Sequence, residues 1–229
     1  MNQTLLSSRT PAAPFIENYK GISPNQSQTS AINRHLGITA HNIKIRMASN
    51  SPTFRITPAR TADHIEAAKV LFKSYAEWLG IDLTFQGFAS ELQSLPGQYA
   101  APQGELLLAY SAEDVPIGCV AVRPLKKSSS AERQDLSDDG KHCEMKRLYV
   151  SPEARGTGLG KVLVNSIVQR ARDLGYRELR LDTLPWMAGA IQLYKRVGFV
   201  EIAPYYETPL EGTLFLGLDL ARSTDPTDC

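Results

Sequence analysis

Directly ahead of a helical apolar pattern, the chain carries the run Arg155-Gly156-Thr157-Gly158-Leu159-Gly160-Lys161. Three glycines at alternate positions let the backbone approach a ligand closely or turn through positive φ. A helix N-terminus then offers unpaired N–H groups and the positive end of its dipole, and Arg155 and Lys161 add a charge on either side. This chemistry suits a phosphate or pyrophosphate. Two phosphate-binding templates fail on it. A Walker loop needs Gly, four residues and then Gly-Lys-Ser/Thr, but Val162 follows Lys161 and Arg155 stands where the first glycine belongs. A dinucleotide fingerprint needs G-x-G-x-x-G straight after a strand. Here the spacing is G-x-G-x-G with Ser151–Arg155 intervening, although Glu178 and Asp182 lie near that template's acidic position. A third pattern, Arg/Gln-x-x-Gly-x-Gly/Ala, is met in full from Arg155 to Gly160.

The elements that must position this loop follow from periodicity and turn residues. Phe54-Arg55-Ile56 alternates as a strand. From Ala62 to Leu79, Ile65, Ala68, Leu71, Phe72, Tyr75, Trp78 and Leu79 recur at helical spacing, bounded by Gly80. A short helix is expected at 88–95, a hairpin from strands 105–110 and 116–123, and a polar surface loop at 126–141. A strand is expected at 144–150, then the loop and its helix to Leu174. Strand 178–181, helix 188–196 stopped by Gly198, and strands 199–202 and 213–220 complete the order. Helices inserted among mostly antiparallel strands predict one α/β domain, its mixed, mostly antiparallel central sheet flanked by helices. A Rossmann domain would alternate more regularly.

Composition narrows the class. The 229 residues carry a net charge of +1, 42% hydrophobic and 21% charged residues, ordinary for a globular protein. No broad basic face for nucleic acid is implied, and no apolar run is long enough to span a bilayer. Cys119, Cys143 and Cys229 form no C-x-x-C pair, so neither a disulfide framework nor a metal site is expected, and a reducing compartment is the default. Residues 1–52 are rich in Ser, Asn, Gln, Thr and Pro; up to Asn50 their one acid, Glu17, faces Arg9, Lys20, Arg34, Lys44 and Arg46. They read as a poorly ordered extension of transit-peptide-like composition. A cytoplasmic protein is expected, with a mitochondrial address as the alternative. The domain is expected over 53–221 and a tail over 222–229.

Three segments together resemble the GCN5-related N-acetyltransferase (GNAT) superfamily. Cys143–Pro152 is similar to its fourth strand, Arg155–Gly160 to its acyl-CoA pyrophosphate loop, and Ala190-Ile191-Gln192-Leu193-Tyr194-Lys195-Arg196-Val197-Gly198-Phe199 to its A-x-x-L-Y-x-x-x-G-F signature. One departure is Met187, where many members carry Asn. The resemblance implies an acetyl-CoA-dependent N-acetyltransferase. Leu148, Tyr149 and Val150 would hold the pantetheine arm, and Arg155, Gly156, Thr157, Gly158, Leu159, Gly160 and Lys161 the pyrophosphate. Tyr194 is the expected acid toward the CoA thiolate, because a phenol is matched to an alkyl thiol. Glu144 is the expected base, with Asp182 as the other candidate; Cys143 has nothing beside it in sequence to activate it. Trp78, Phe85, Tyr205 and Tyr206 are expected to line the acceptor pocket, and Lys146, Arg147 or Arg123 to meet a substrate carboxylate. The acceptor would be a small or amino-acid-like amine. A protein lysine or N-terminus is the competitor, and a non-catalytic acyl-CoA-binding domain the reading from another class. A homodimer is left open.

Overall fold

A computed structural model describes residues 54–125 and 141–221. The expected extension, the C-terminal tail and nearly all of the expected 126–141 loop lie outside the described residues. Strand β1 (Phe54–Pro58) leads into α1 (Ala62–Leu79) and α2 (Phe88–Ser94). Next come β2 (Glu105–Ser111), β3 (Pro116–Pro124) and β4 (His142–Val150). Helix α3 (Leu159–Asp173), β5 (Glu178–Thr183), α4 (Ala188–Val197), β6 (Val200–Glu201) and β7 (Leu214–Asp219) follow. Each expected element is present within a few residues of its expected bounds. Helix α1 starts where the Thr61 hydroxyl accepts the His64 N–H at 3.2 Å, the capping arrangement favoured for threonine.

The strands form one seven-stranded sheet in the order β1-β2-β3-β4-β5-β7-β6. Every neighbouring pair is antiparallel except β4 and β5, as a mixed, mostly antiparallel sheet requires. Alternation divides its side chains between two cores. On one face α3 buries Leu159, Leu163, Val164 and Ile167 against Leu107, Val120, Val122, Met145 and Leu181. On the other, α1 buries Ala68, Leu71 and Phe72 against Leu106, Leu108, Cys119 and Tyr149. Glu105, with no exposed surface, is gripped at the sheet's end by Arg60 at 2.6 Å and Arg170 at 2.9 Å. No described helix is long and apolar enough to cross a membrane.

Strand β4 departs from plain alternation. Its pairing with β3 runs from Ala121 opposite Lys146 to Cys119 opposite Tyr149, so β4 spends one residue more than β3 over that span. This is a β-bulge, and Arg147 sits in it at φ 58. Upstream, Cys143 and Met145 point into the α3 core; downstream, Leu148 and Val150 do so. Lys146 and Arg147 are thereby both kept off that face.

Candidate active site

The parallel ladder between β4 and β5 is short: His142–Glu144 pair with Glu178–Arg180 and no further. Beyond that point the strands part, and two spaces open in the gap. The larger is a groove of about 860 Å³, floored by Leu148, Tyr149 and Val150 and walled by the glycine loop and by α4 residues including Ala190, Leu193 and Tyr194. Gly156 and Gly158 take φ of 78° and 87°, values an L side chain strongly disfavours. A Cβ at either would meet no protein atom within 4 Å, so the loop keeps open space beside its backbone. Gly158 caps α3 without any side-chain hydrogen bond, which leaves the helix N-terminus to a ligand. Arg155 donates from Nε to the Val150 carbonyl at 3.1 Å, and its guanidinium lies 4.8 Å over the Trp78 ring. Lys161 also lines the groove.

The smaller space is a chamber of about 50 Å³ on the other side of the gap, bounded by α1, the segment leading to α2, and the ends of β4 and β5. Leu148, Met187 and Tyr194 border both spaces. Tyr194 is buried, and burial pushes its phenol well above the ordinary tyrosine value, away from the match to an alkyl thiol expected from sequence; the hydroxyl stays protonated and so keeps its hydrogen for the sulfur. The chamber's apolar wall comes from a separate small core, in which Leu79, Leu83 and Leu184 pack with Leu210 and Met187. Its polar wall is a set of closed ion pairs. Lys146 Nζ lies 2.7 Å from Asp182 and 3.5 Å from Glu144. Burial alone would raise the Asp182 carboxyl, but the Lys146 ammonium and a hydrogen bond from Tyr206 hold it below the ordinary carboxylate value. Arg147 donates from Nε to Glu91 at 2.9 Å and from Nη1 to Gln86 at 3.1 Å, with Nη2 also on Glu91. Its guanidinium lies 5.8 Å from the Tyr75 ring centroid and 5.1 Å from that of Phe88.

All ten residues expected to hold the cofactor, other than Thr157, border the groove, and Thr157 braces the loop by donating to the Ala154 carbonyl at 2.7 Å. The expected catalytic and acceptor residues are more scattered. Glu144, expected near the acyl end, is instead sealed off. It lies where β5 still pairs, is 3% exposed, and accepts from Arg123 at 2.8 Å and the Tyr205 hydroxyl at 2.9 Å. It borders neither space, and the carboxylate facing the chamber is Asp182. Trp78, expected in the acceptor pocket, borders the groove, where its ring centroid lies 5.9 Å from that of Trp186. Phe85 is 40% exposed and borders neither space. Tyr205 and Tyr206 stand behind the chamber, bonded to Glu144 and Asp182 and stacked edge-on to Phe215. Leu79, Leu83, Leu184 and Leu210 were not expected to line the site; Leu79 and Leu184 stand at the ends of α1 and β5, and Leu83 and Leu210 in connecting segments.

A family model described as the acetyltransferase (GNAT) family matches residues 72–199. An uncharacterized N-acetyltransferase of Schizosaccharomyces pombe is 35% identical, the match covering 73% of this chain and 95% of that protein. One of Dictyostelium discoideum is 33% identical over 64% of this chain and 90% of that protein. Among solved structures, an acyl-CoA N-acyltransferase from Klebsiella pneumoniae has a TM-score of 0.54 at 25% identity, covering 73% of this chain and 98% of that one. A Salmonella typhimurium protein solved with its cofactor acetyl-CoA has a TM-score of 0.52 at 20% identity, covering 77% and 99%.

Proposed function

This chain belongs to the acetyltransferase (GNAT) family, and we propose that it moves the acetyl group of acetyl-CoA directly to the primary amine of a small molecule. The observation that carries this reading is the meeting of groove and chamber at Tyr194, where β4 and β5 part. The groove fits CoA on its own geometry. Two glycines at positive φ leave the loop open, an uncapped helix start faces it, and Arg155 and Lys161 flank it. The bound cofactor supplies a thioester carbonyl activated for attack by nitrogen.

The chain's own residues then have four tasks. The loop and the start of α3 hold the pyrophosphate. The β4 edge beyond Glu144, which no described strand pairs on its β5 side, accompanies the pantetheine arm and aligns the acyl group. Tyr194 protonates the departing sulfur. Asp182 accepts a hydrogen bond from the acceptor nitrogen and takes its proton as the new C–N bond forms; it holds this role in place of Glu144 because it alone of the two faces the chamber. The neutral amine loses one proton to Asp182 and sulfur gains one from Tyr194; an acceptor that arrives as an ammonium gives its other proton to solvent before attack, and exchange with solvent returns Asp182 and Tyr194 to their starting states, so the transfer is balanced. A route through Cys119 or Cys143 is disfavoured: neither has exposed surface, and burial pushes both thiols up, away from the thiolate.

Thermal unfolding tests the cofactor assignment. Acetyl-CoA at 100 times its Kd should stabilise the fold by about 2.7 kcal/mol, whereas NAD and ATP should not. Release of CoA thiol on adding an amine should follow. A melting temperature unmoved by acetyl-CoA refutes the reading.

A further inference from the structure

The chamber is the acceptor's end of the site if the proposed transfer is right, and its walls restrict what can enter. We infer that the acceptor presents an alkylamine head: a primary amine on a short apolar chain with no carboxylate beside it. This replaces the amino-acid-like acceptor expected from sequence.

Three observations carry the inference. First, the cations that could meet a carboxylate are already engaged. Arg147 spends Nε and Nη2 on Glu91 and Nη1 on Gln86, while its faces are covered by Tyr75 and Phe88. Lys146 lies between Asp182 and Glu144, and Arg123 is bonded to Glu144 through two nitrogens. Against Lys146, Arg147 and Arg123 stand Asp182, Glu144 and Glu91, so the described charges cancel. Among the described residues of the chamber, a substrate carboxylate would have to enter without a free partner or break a buried pair, and both are costly. Second, among the described residues the one carboxylate lining the chamber is Asp182, beside Lys146 and Arg147; with those two cations turned to Asp182, Glu144 and Glu91, the Asp182 carboxylate, held ionised by Lys146, is the group left to meet an ammonium or its N–H. Third, the remaining wall of Leu79, Leu83, Leu184 and Leu210 favours hydrocarbon. A volume of about 50 Å³ is room for roughly two water-sized groups at their ~30 Å³ share of liquid volume, so it takes the amine and the first carbons of a chain. A free alkylamine and a lysine side chain share this chemistry.

Matched pairs of acceptors test it, using the full chain and a CoA-thiol readout. Isobutylamine against valine and isoamylamine against leucine differ only by the carboxylate. The amine of each pair should have the higher kcat/KM by at least about 100-fold, as expected for excluding an unpaired buried charge. Nα-acetyl-lysine amide, tested alongside, assigns the source. If it is used best, the alkylamine head stands and the small-molecule reading falls. Equal or better use of valine and leucine overturns the inference while leaving acetyl transfer intact. Stabilisation by acetyl-CoA with none of the five acceptors consumed also overturns it, and no stabilisation removes the transfer reading beneath it. A variant supplies the converse. Glu91→Gln removes the anionic partner of Arg147 and should narrow the preference against valine at least tenfold, with melting temperature read in parallel. An unchanged ratio in a folded Glu91→Gln protein counts against closed pairing as the cause.

Discussion

Replacing Gly158 and Gly160 by alanine should move the protein in opposite directions, although the two stand one residue apart in the same loop. At φ 87° and ψ −4°, Gly158 occupies the left-handed region, which costs an L residue about 1–2 kcal/mol. A Cβ there would touch nothing within 4 Å, so the whole penalty is in the backbone and the loop can relieve it by rotating. For a domain of this size each kcal/mol is worth about 2–4 °C, giving a fall of roughly 2–8 °C. Rotation also turns the N–H groups at the start of α3 away from the groove. Losing one hydrogen bond to a charged group, worth about 1.5–3 kcal/mol, should weaken CoA binding by about 10- to 150-fold. Gly160 lies within the first turn of α3. Its added Cβ would meet Leu193 Cδ2 at 3.6 Å and Val150 Cγ2 at 3.9 Å, ordinary contact distances. Alanine is the better helix former by up to about 1 kcal/mol, so Gly160→Ala should be neutral or raise the melting temperature by up to ~4 °C. Melting curves with and without CoA, together with calorimetric titration of CoA, read both effects. Equal shifts of the same sign, or undiminished CoA affinity in Gly158→Ala, would refute the account of the loop.

Three further outcomes are expected. Tyr194→Phe should lower kcat by about 100-fold with little change in KM for acetyl-CoA, whereas a tyrosine that only packs would leave kcat unmoved. Asp182→Asn should lower kcat/KM by about 100-fold or more, while Glu144→Gln, which strips Arg123 of its buried partner, should cost about 3–5 kcal/mol of stability and leave turnover of the folded fraction within tenfold; the reverse pattern would restore Glu144 as the base. Glu91, Glu105 and Asp182 are all held below the ordinary carboxylate value: burial opposes this, and their cationic partners (Arg147 for Glu91, Arg60 and Arg170 for Glu105, Lys146 for Asp182) overcome it. A depressed folded value means their stabilisation is present above the unfolded value and lost as pH falls. The melting temperature should therefore be flat from pH 8 to about 5 and decline below about 4.5, and a decline beginning above pH 6 would contradict the sign.

The elements were legible because local signals agreed: Thr61 and Gly80 bracket a helical stripe, and Gly198 stops another. The glycine loop was legible because its chemistry is contiguous. What resisted reading depends on where strands separate. Alternation tells which face Glu144 occupies but not that β5 still pairs there, and that pairing seals it from the site. Helical spacing puts Trp78 on α1 but not at a distance of 5.9 Å from Trp186 beside the loop. The chamber wall draws Leu79, Leu83, Leu184 and Leu210 from separate turns of the chain, and no window of sequence contains them together. Lys146-Arg147 did carry a signal: two adjacent charges in an otherwise alternating strand mark the bulge.

That bulge works as a frame shift in the pleat. Upstream of it, odd-numbered residues of β4 serve the α3 core; downstream, even-numbered ones do. Substitutions along the strand should thus change phase at Arg147. Even positions before it tune the ion pairs behind the chamber, and even positions after it tune the floor of the groove. A single strand thereby gives selection separate handles on acceptor and cofactor. Deleting one residue at the bulge would merge the two frames into plain alternation, leaving Leu148 and Val150 on the α3 core and Tyr149 on the other while removing one of the two adjacent cations.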